Sequence, residues 1–380
     1  MSTEPLDPSQ LPSSMAFDED DLDKTLITTL PETFLAATEG LFLKSVDSAY
    51  PLPLGPMIIG RDASCSLTLH SRRVSRHHAA IYRQGKNYIL RDLHSTNGIM
   101  VNGKQVAQSL LRPGDKIRMG DQFFEIVEGQ YPAEQYHHQA IVVFVDLADS
   151  TRLTEKYGKP FSEHMRLMMR KLEDQVLVHR GCPVKLLGDG LMCAFDLWPV
   201  QENNYQPFDK ALQFAQKAVK LFRSIKDYEP LRVRVGLHYG DIVLSETPHF
   251  DLFGDTVNTA ARLEACNKYY GTQIMVSESF YARTRFQDYL REVDQVKVMG
   301  RDRPVTLYTW DGVFHKTKKQ HHRQPYERGL AAYREGDFNT ATQIWQRGLK
   351  QDKLCQPLLQ RVENLPDAPP NWNGVWSLDK

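Results

Sequence analysis

Residues Asp251–Glu264 read DLFGDTVNTAARLE. Gly254, Asp255 and Thr256 form a turn running into a helix, with Asp255 or Thr256 at the N-cap, where a short polar side chain satisfies a free N–H of the first turn. Along that helix Ala260, Ala261 and Leu263 offer packing surface, and Asn258 and Arg262 share one face. A planar amide and a guanidinium on one helical face, just past a turn, suit a ligand with ribose and phosphate groups. Taken alone, the pair equally describes a solvated surface helix. Two upstream segments narrow the choice. FVDL at 144–147 ends an apolar strand on an aspartate, and KLLGDGLMCAF at 185–195 reads as a hairpin with Asp189 at its tip.

These three segments, in this order, resemble the catalytic domain of class III adenylate cyclases. The resemblance implies an α+β, ferredoxin-like (βαββαβ) nucleotide cyclase domain over 139–312. It implies that Asp146, Asp189 and the backbone oxygen of Leu147 bind two divalent metal ions, Mg²⁺ or Mn²⁺, for which hard oxygen ligands are suited. Asn258 would hold the ribose and Arg262 would stabilise charge on the α-phosphate. Arg301, in MGRDRP, stands where the family places a basic residue on the triphosphate, often lysine. Lys185 and Asp251 fall at the positions that select the base. Adenine presents an N6 donor and an N1 acceptor, which an aspartate and a lysine complement, whereas guanine presents the reverse pattern. The substrate expected is therefore ATP, giving 3′,5′-cyclic AMP and pyrophosphate. In the family each site draws on two subunits, so a homodimer is expected.

Before this segment, residues 34–128 carry short alternating strands separated by GKN, STNG, VNG and RPGD turns, the pattern of an all-β sandwich. Gly60-Arg61, Ser75-Arg76-His77-His78, Ser95-Thr96-Asn97-Gly98 and Val101-Asn102-Gly103 resemble, in order and spacing, a forkhead-associated (FHA) domain, a phosphothreonine-binding module. The resemblance places Arg61, Ser75, Arg76 and Thr96 on the phosphate and Asn97 on the peptide backbone, with His78 and Asn102 bracing the loops. Any one of these turns, alone, is an ordinary hairpin.

Residues 1–33 hold Ser, Pro and the acidic run Asp18–Asp23, a composition that builds no core. Thr25, Thr28 and Thr29 follow that run, so the chain's own tail, once phosphorylated, is a candidate FHA ligand beside an outside phosphothreonine protein. Residues 129–138 form a short linker. Within 321–380, Gly329, Tyr333, Gly336, Phe338, Ala341, Trp345, Leu349 and Asp352 are spaced as in one tetratricopeptide-type helix pair, too small to stand alone and expected to dock on the cyclase domain or a partner.

Composition restricts the remaining classes. With 47 basic and 47 acidic residues the formal charge is zero, which gives no global field for nucleic acid or an anionic membrane. No apolar run reaches the ~18 residues of a spanning helix. Five scattered cysteines form no CxxC pair and read as buried thiols of a cytoplasmic protein. The expected molecule is multidomain: an FHA sandwich, a cyclase domain and a short helical C-terminal segment. Its expected function is a phosphothreonine-regulated adenylate cyclase. The alternatives are a phosphopeptide-binding adaptor with an inactive cyclase-like domain, and a guanylate cyclase.

Overall fold

The structure, a computed structural model, describes residues 38–46, 48–53, 55–84, 87–131, 138–197, 206–245, 251–297, 303–311, 316–350, 352–363, 365 and 368–377. Arg301 and the threonines at 25, 28 and 29 lie outside the described residues.

The first strands are β1 (Thr38–Lys44), β2 (Ala49–Pro51), β3 (Met57–Gly60), β4 (Leu67–Thr68), β5 (Ala79–Gln84), β6 (Asn87–Asp92), β7 (Ile99–Val101), β8 (Lys104–Val106), β9 (Gln108–Leu110), β10 (Lys116–Met119) and β11 (Gln122–Tyr131). They form two sheets, ordered β2-β1-β11-β10-β7-β8 and β4-β3-β5-β6-β9, the sandwich expected from the alternating pattern. In β10, Ile117 and Met119 point into the core while Lys116 and Arg118 face out, because successive side chains alternate across a strand. Leu43, Ile59, Ile81, Leu90, Ile99 and Ile126 fill the space between the sheets. Gly60 ends β3 against the next loop. A Cβ there would lie 2.1 Å from the Arg76 carbonyl oxygen, so only glycine lets these two segments meet. The expected linker shortens, because Gly129, Gln130 and Tyr131 continue β11 by pairing with Gly40, Glu39 and Thr38. Residues 132–137 of that linker lie outside the described residues.

The second unit runs β12 (Gln139–Leu147), α1 (Ser150–Val178), β13 (Cys182–Leu187), β14 (Gly190–Phe195), α2 (Pro207–Arg223) and β15 (Val233–Asp241), the βαββαβ order expected. It continues with β16 (Val243–Ser245), β17 (Asp251–Phe253), α3 (Asp255–Tyr270), β18 (Ile274–Ser277), α4 (Glu278–Tyr281), β19 (Leu290–Lys297) and β20 (Val305–Trp310). The main sheet is ordered β13-β14-β12-β15-β18-β20-β19-β21, where β21 is Trp376–Ser377. The apolar run of β12 is covered on both faces: Ile141, Val143 and Val145 meet α1 and α2, while Ala140 and Val142 face the α3 side. The long helix α1 is two helices joined at a kink, where Gly158 has φ 68° and Pro160 follows. Gly236 brings α3 onto β15, since a Cβ there would sit 2.3 Å from the Ala260 carbonyl oxygen. The α3 N-cap is Gly254, with φ 119° and no side-chain cap, rather than Asp255 or Thr256. Thr256 instead turns its hydroxyl to the Asp241 carbonyl, 2.5 Å away.

The C-terminal segment is three helices, α5 (Lys316–Arg334), α6 (Phe338–Gly348) and α7 (Cys355–Glu363), one more than the pair expected. They dock on the main sheet. Tyr326, Tyr333 and Trp345 share one core with Leu263, Met275, Val293 and Leu307. Arg291 holds Asp352 through two hydrogen bonds of 2.6 and 2.9 Å, and Arg361 holds Asp294 at 2.7 Å, all four side chains buried. After the helices, β21 pairs in parallel with β19, with Val296 opposite Trp376.

All five cysteines are buried and outside any disulfide. Burial pushes the Cys182, Cys266 and Cys355 thiols up to about 12, so they stay protonated and inert near neutral pH. Among the described residues no helix is long and apolar enough to cross a membrane.

Candidate active site

Three strands bring the acidic residues together. In the ladders of β12, Asp146 lies opposite Gly190 of β14 on one side and Arg234 of β15 on the other. Leu187 pairs with Gly190, which leaves Gly188 and Asp189 as the two-residue tip of the β13–β14 hairpin. Asp189 thus comes alongside Asp146 from the neighbouring strand. Burial lifts the Asp146 carboxyl above the usual range, the Arg234 guanidinium opposes this, and the Asp189 charge adds to it.

Arg234 and Glu264 join this group, although the sequence reading overlooked both. Arg234 donates through Nη2 to Asp146 Oδ2 at 2.5 Å and meets Glu264 Oε1 through Nε at 2.7 Å. Glu264 is pushed up to about 7, first by burial and then by the Asp146 and Asp189 charges, against the pull of Arg234. The available signal was a lone arginine inside the apolar run VRVGL, in a strand whose neighbours are fully covered.

The donor set fits divalent cations. Asp189 Oδ2 is buried and has no hydrogen-bond partner among the described residues, a costly arrangement for a carboxylate unless a cation occupies its lone pairs. Asp146 supplies a second hard oxygen group, and no described cluster of three acidic, histidine or cysteine side chains competes for an ion.

A cleft of about 540 Å³ opens beside these acids. Leu147, Gly188 and Asp189 line it together with α1 residues from Ser150 to Met169. None of Lys185, Asp251, Asn258 or Arg262 lines it. Lys185 Nζ instead donates to Asp251 Oδ2 at 2.6 Å, and the Leu252 amide fixes the other carboxylate oxygen at 2.8 Å. Asn258 is exposed in the first turns of α3 with Arg262 half-buried one turn on, and neither side chain has a hydrogen bond or ion pair among the described residues.

On the sandwich, the candidate phosphate ligands also converge. The Thr96 amide donates to Ser75 Oγ at 3.0 Å, and the Arg61 amide donates to the Ser75 carbonyl at 3.0 Å. Arg61, Arg76 and Thr96 remain exposed. Asn97 donates to the Arg73 carbonyl at 2.7 Å, tying two loops together. His78 is fully buried beneath them. Its Nδ1 accepts from the Ser75 amide and its Nε2 donates to the Gly98 carbonyl, both at 3.0 Å, which requires the neutral ring. Burial lowers its pKa in the same sense. Asn102 likewise braces, holding Asp115 at 2.7 Å and the Lys116 amide at 2.9 Å.

Residues 132–311 match the family described as the adenylate and guanylate cyclase catalytic domain, and residues 57–120 match the FHA domain. Adenylate cyclase 2 of Rhizobium meliloti (strain 1021) is 28% identical over 206 residues, which is 49% of this chain and 53% of that protein. The human guanylate cyclase soluble subunit beta-2 is 30% identical over 196 residues, 48% of this chain and 30% of that protein. The transcriptional regulatory protein EmbR of Mycobacterium tuberculosis (strain ATCC 25618 / H37Rv) is 41% identical over 76 residues, 20% of each chain. The chain spans about half the length of the first of these relatives and less of the others. It carries a nucleotide cyclase catalytic domain behind an FHA domain, with helices following.

Proposed function

We propose that this chain is an adenylate cyclase that converts ATP to 3′,5′-cyclic AMP and pyrophosphate at sites shared across a homodimer, under the control of a phosphothreonine-binding FHA domain. The Lys185–Asp251 pair carries the choice of base. Lys185 has further N–H donors for adenine N1, and Asp251 Oδ2 has a further lone pair for the N6 amino group, so the 2.6 Å contact between them survives adenine binding. Guanine would set its O6 against the aspartate and its N1–H against the lysine, leaving charged groups unmatched.

In the reaction the ribose 3′-hydroxyl gives up its proton to water as its oxygen attacks the α-phosphorus, the bond to the bridging α–β oxygen breaks, and pyrophosphate leaves with that oxygen. Asp146, Asp189 and the Leu147 carbonyl would hold two divalent ions, which supply Lewis acidity to the 3′-hydroxyl and the α-phosphate. Asn258 orients the ribose by hydrogen bonding, so that the 3′-oxygen lies in line with the leaving group. Arg262 neutralises charge as it builds on the α-phosphoryl oxygens. Arg301 would add a contact to the triphosphate. Arg234 keeps the Asp146 carboxylate aimed out of the sheet. Asn258 and Arg262 make no side-chain hydrogen bond or ion pair among the described residues and do not line the cleft that Asp189 lines, which supports completion of each site by a second copy. Leu186, Leu187, Val243 and Phe253 are exposed apolar residues on the hairpins around these groups, as a subunit contact would require.

Arg61, Ser75, Arg76 and Thr96 would hold the phosphate of a phosphothreonine peptide, and Asn97 its backbone. The test of the whole reading is product analysis with ATP and GTP, each with Mg²⁺ or Mn²⁺. Cyclic AMP as the main product is expected. A preference for cyclic GMP would overturn the assignment of the base, and no turnover of either nucleotide would leave the adaptor reading.

A further inference from the structure

The sandwich is seated on the far end of α1, and one residue of that contact is out of place for its backbone. Ile58, Ala80, Tyr82 and Ile89, from the outer face of the β3–β5–β6 sheet, bury against Leu177 of α1. Arg91 of β6 reaches Glu173 at 2.8 Å, Asp174 at 2.6 Å and the Arg170 carbonyl at 2.8 Å. The helix then ends with the Gly181 amide bonded to the Val176 carbonyl at 2.9 Å and the Arg180 amide to the Leu177 carbonyl at 2.8 Å. This paired pattern calls for a left-handed residue at the position of Arg180, where glycine is the usual occupant. Arg180 has φ 66°, although Gly181 stands next to it in the sequence.

An arginine held in the left-handed region needs a compensating contact, and its guanidinium makes one. It donates to the Ser64 carbonyl at 2.5 Å and to Ser66 Oγ. Ser64 and Ser66 belong to the loop between β3 and β4 of the sandwich, which begins with Arg61. That loop is bonded to the other phosphate candidates, the Arg61 amide to the Ser75 carbonyl at 3.0 Å and the Asp62 amide to the Arg76 carbonyl at 3.2 Å, and is closed on itself by the Ser64 amide bonding Asp62 Oδ1 at 3.0 Å. On the other side, β13 starts two residues after Arg180, passes through a register shift between Pro183 and Lys185, and ends at the Gly188–Asp189 tip.

We propose that Arg180 is a positioning residue that links phosphothreonine binding on the FHA domain to the nucleotide site. A phosphate held by Arg61, Ser75 and Arg76 draws on the β3–β4 loop. The loop either keeps or releases the guanidinium, and the left-handed turn at Arg180 either holds or relaxes. The irregular start of β13 passes that choice to Lys185 and Asp189. The link runs through the docked face of α1, and it rests on the adenylate cyclase and phosphothreonine readings above.

Linkage makes this measurable without turnover, because two coupled ligands change each other's affinity by one common factor. The full chain is titrated with a phosphothreonine peptide selected from a library with random flanks, with and without 3′-deoxy-ATP and Mn²⁺, an analogue lacking the attacking hydroxyl. The wild-type dissociation constant is expected to change at least about threefold when the analogue is present. R180G removes the guanidinium but suits the left-handed turn, so it keeps the helix end, and its ratio is expected to fall to unity. R180K, with one ammonium in place of the fork, should retain an intermediate ratio. A wild-type ratio of one, or an R180G ratio equal to wild type, would overturn the link. Failure of every phosphopeptide to bind would remove it together with the phosphothreonine assignment, and failure of the analogue to bind would remove it together with the nucleotide assignment.

Discussion

Lys185 and Asp251 stand 66 positions apart and meet at 2.6 Å, so the proposed base recognition rests on two side chains from different hairpins. Exchanging them for Glu and Cys reverses one hydrogen-bond polarity and removes the other. Each lost bond to a charged group is worth about 1.5–3 kcal/mol, which makes about a 10- to 100-fold loss in kcat/KM for ATP per position. Steady-state assay of K185E/D251C should show that loss, and unchanged ATP turnover would show that adenine is read elsewhere. His78 allows a second check at this scale. Its folded pKa lies below 6.5, so the unfolded chain binds the proton more readily, and stability falls as pH drops through about 6.5. His77 and His179 are lowered by burial in the same direction. Glu264, pushed up to about 7, works in the opposite sense, so the check is a difference: between pH 7.5 and pH 5.5 the thermal midpoint of His78→Gln should fall less, or rise more, than that of the wild type, and equal changes in both would show that His78 does not contribute. The candidate acids, base-contact and phosphate-loop residues were legible as candidates in the sequence because each sits in a short polar motif at a turn or helix start. Arg234 and Glu264 were not, because what joins them to Asp146 is a cross-strand register and a helix packed over Gly236, which no local spacing encodes.

The elements divide in the same way. The sandwich strands announce themselves by their alternating period, and β12 by an apolar run that asks for cover on both faces. The third C-terminal helix and β21 did not, because α7 is short and β21 depends on an edge offered by β19. What fixes the C-terminal helices is a set of buried charges. Arg361 contacts Asp294 at 2.7 Å, the Tyr333 hydroxyl at 3.0 Å and the Tyr270 hydroxyl at 3.1 Å, with both charged side chains almost wholly buried. Removing one member strands the other. Arg361→Ala is expected to lower unfolding stability by about 3–5 kcal/mol in a denaturant titration, because Asp294 is left charged and dry. Replacing both residues with apolar groups of similar volume, as in R361M/D294L, should recover most of the loss. A double variant as unstable as the single one would mean that the pair orients α7 through hydrogen bonds to the tyrosines rather than by mutual neutralisation.

At the scale of the whole molecule, a single chain carries one copy of each half of the proposed site, and the half with the acids does not share its cleft with Asn258 or Arg262. Two chains related by a two-fold axis would place the acids of one opposite α3 of the other, twice over. This arithmetic gives a specific expectation. D189A removes the acid whose Oδ2 has no hydrogen-bond partner among the described residues, and R262A removes the guanidinium assigned to the α-phosphate, so each homodimer has two defective sites and should be nearly inactive. In an exchanged one-to-one mixture about half of the dimers are mixed, and each mixed dimer has one site with both lesions and one with neither, so about a quarter of wild-type activity should return. Subunit exchange is verified independently, by recovering one tagged variant on the other. If exchange is complete and cyclic AMP formation stays at the level of the separate variants, each chain uses its own Arg262 with its own Asp189, and the shared site is wrong. Recovery well above a quarter would instead mean that the two sites of a dimer are unequal, with a single intact site working faster when its neighbour is empty.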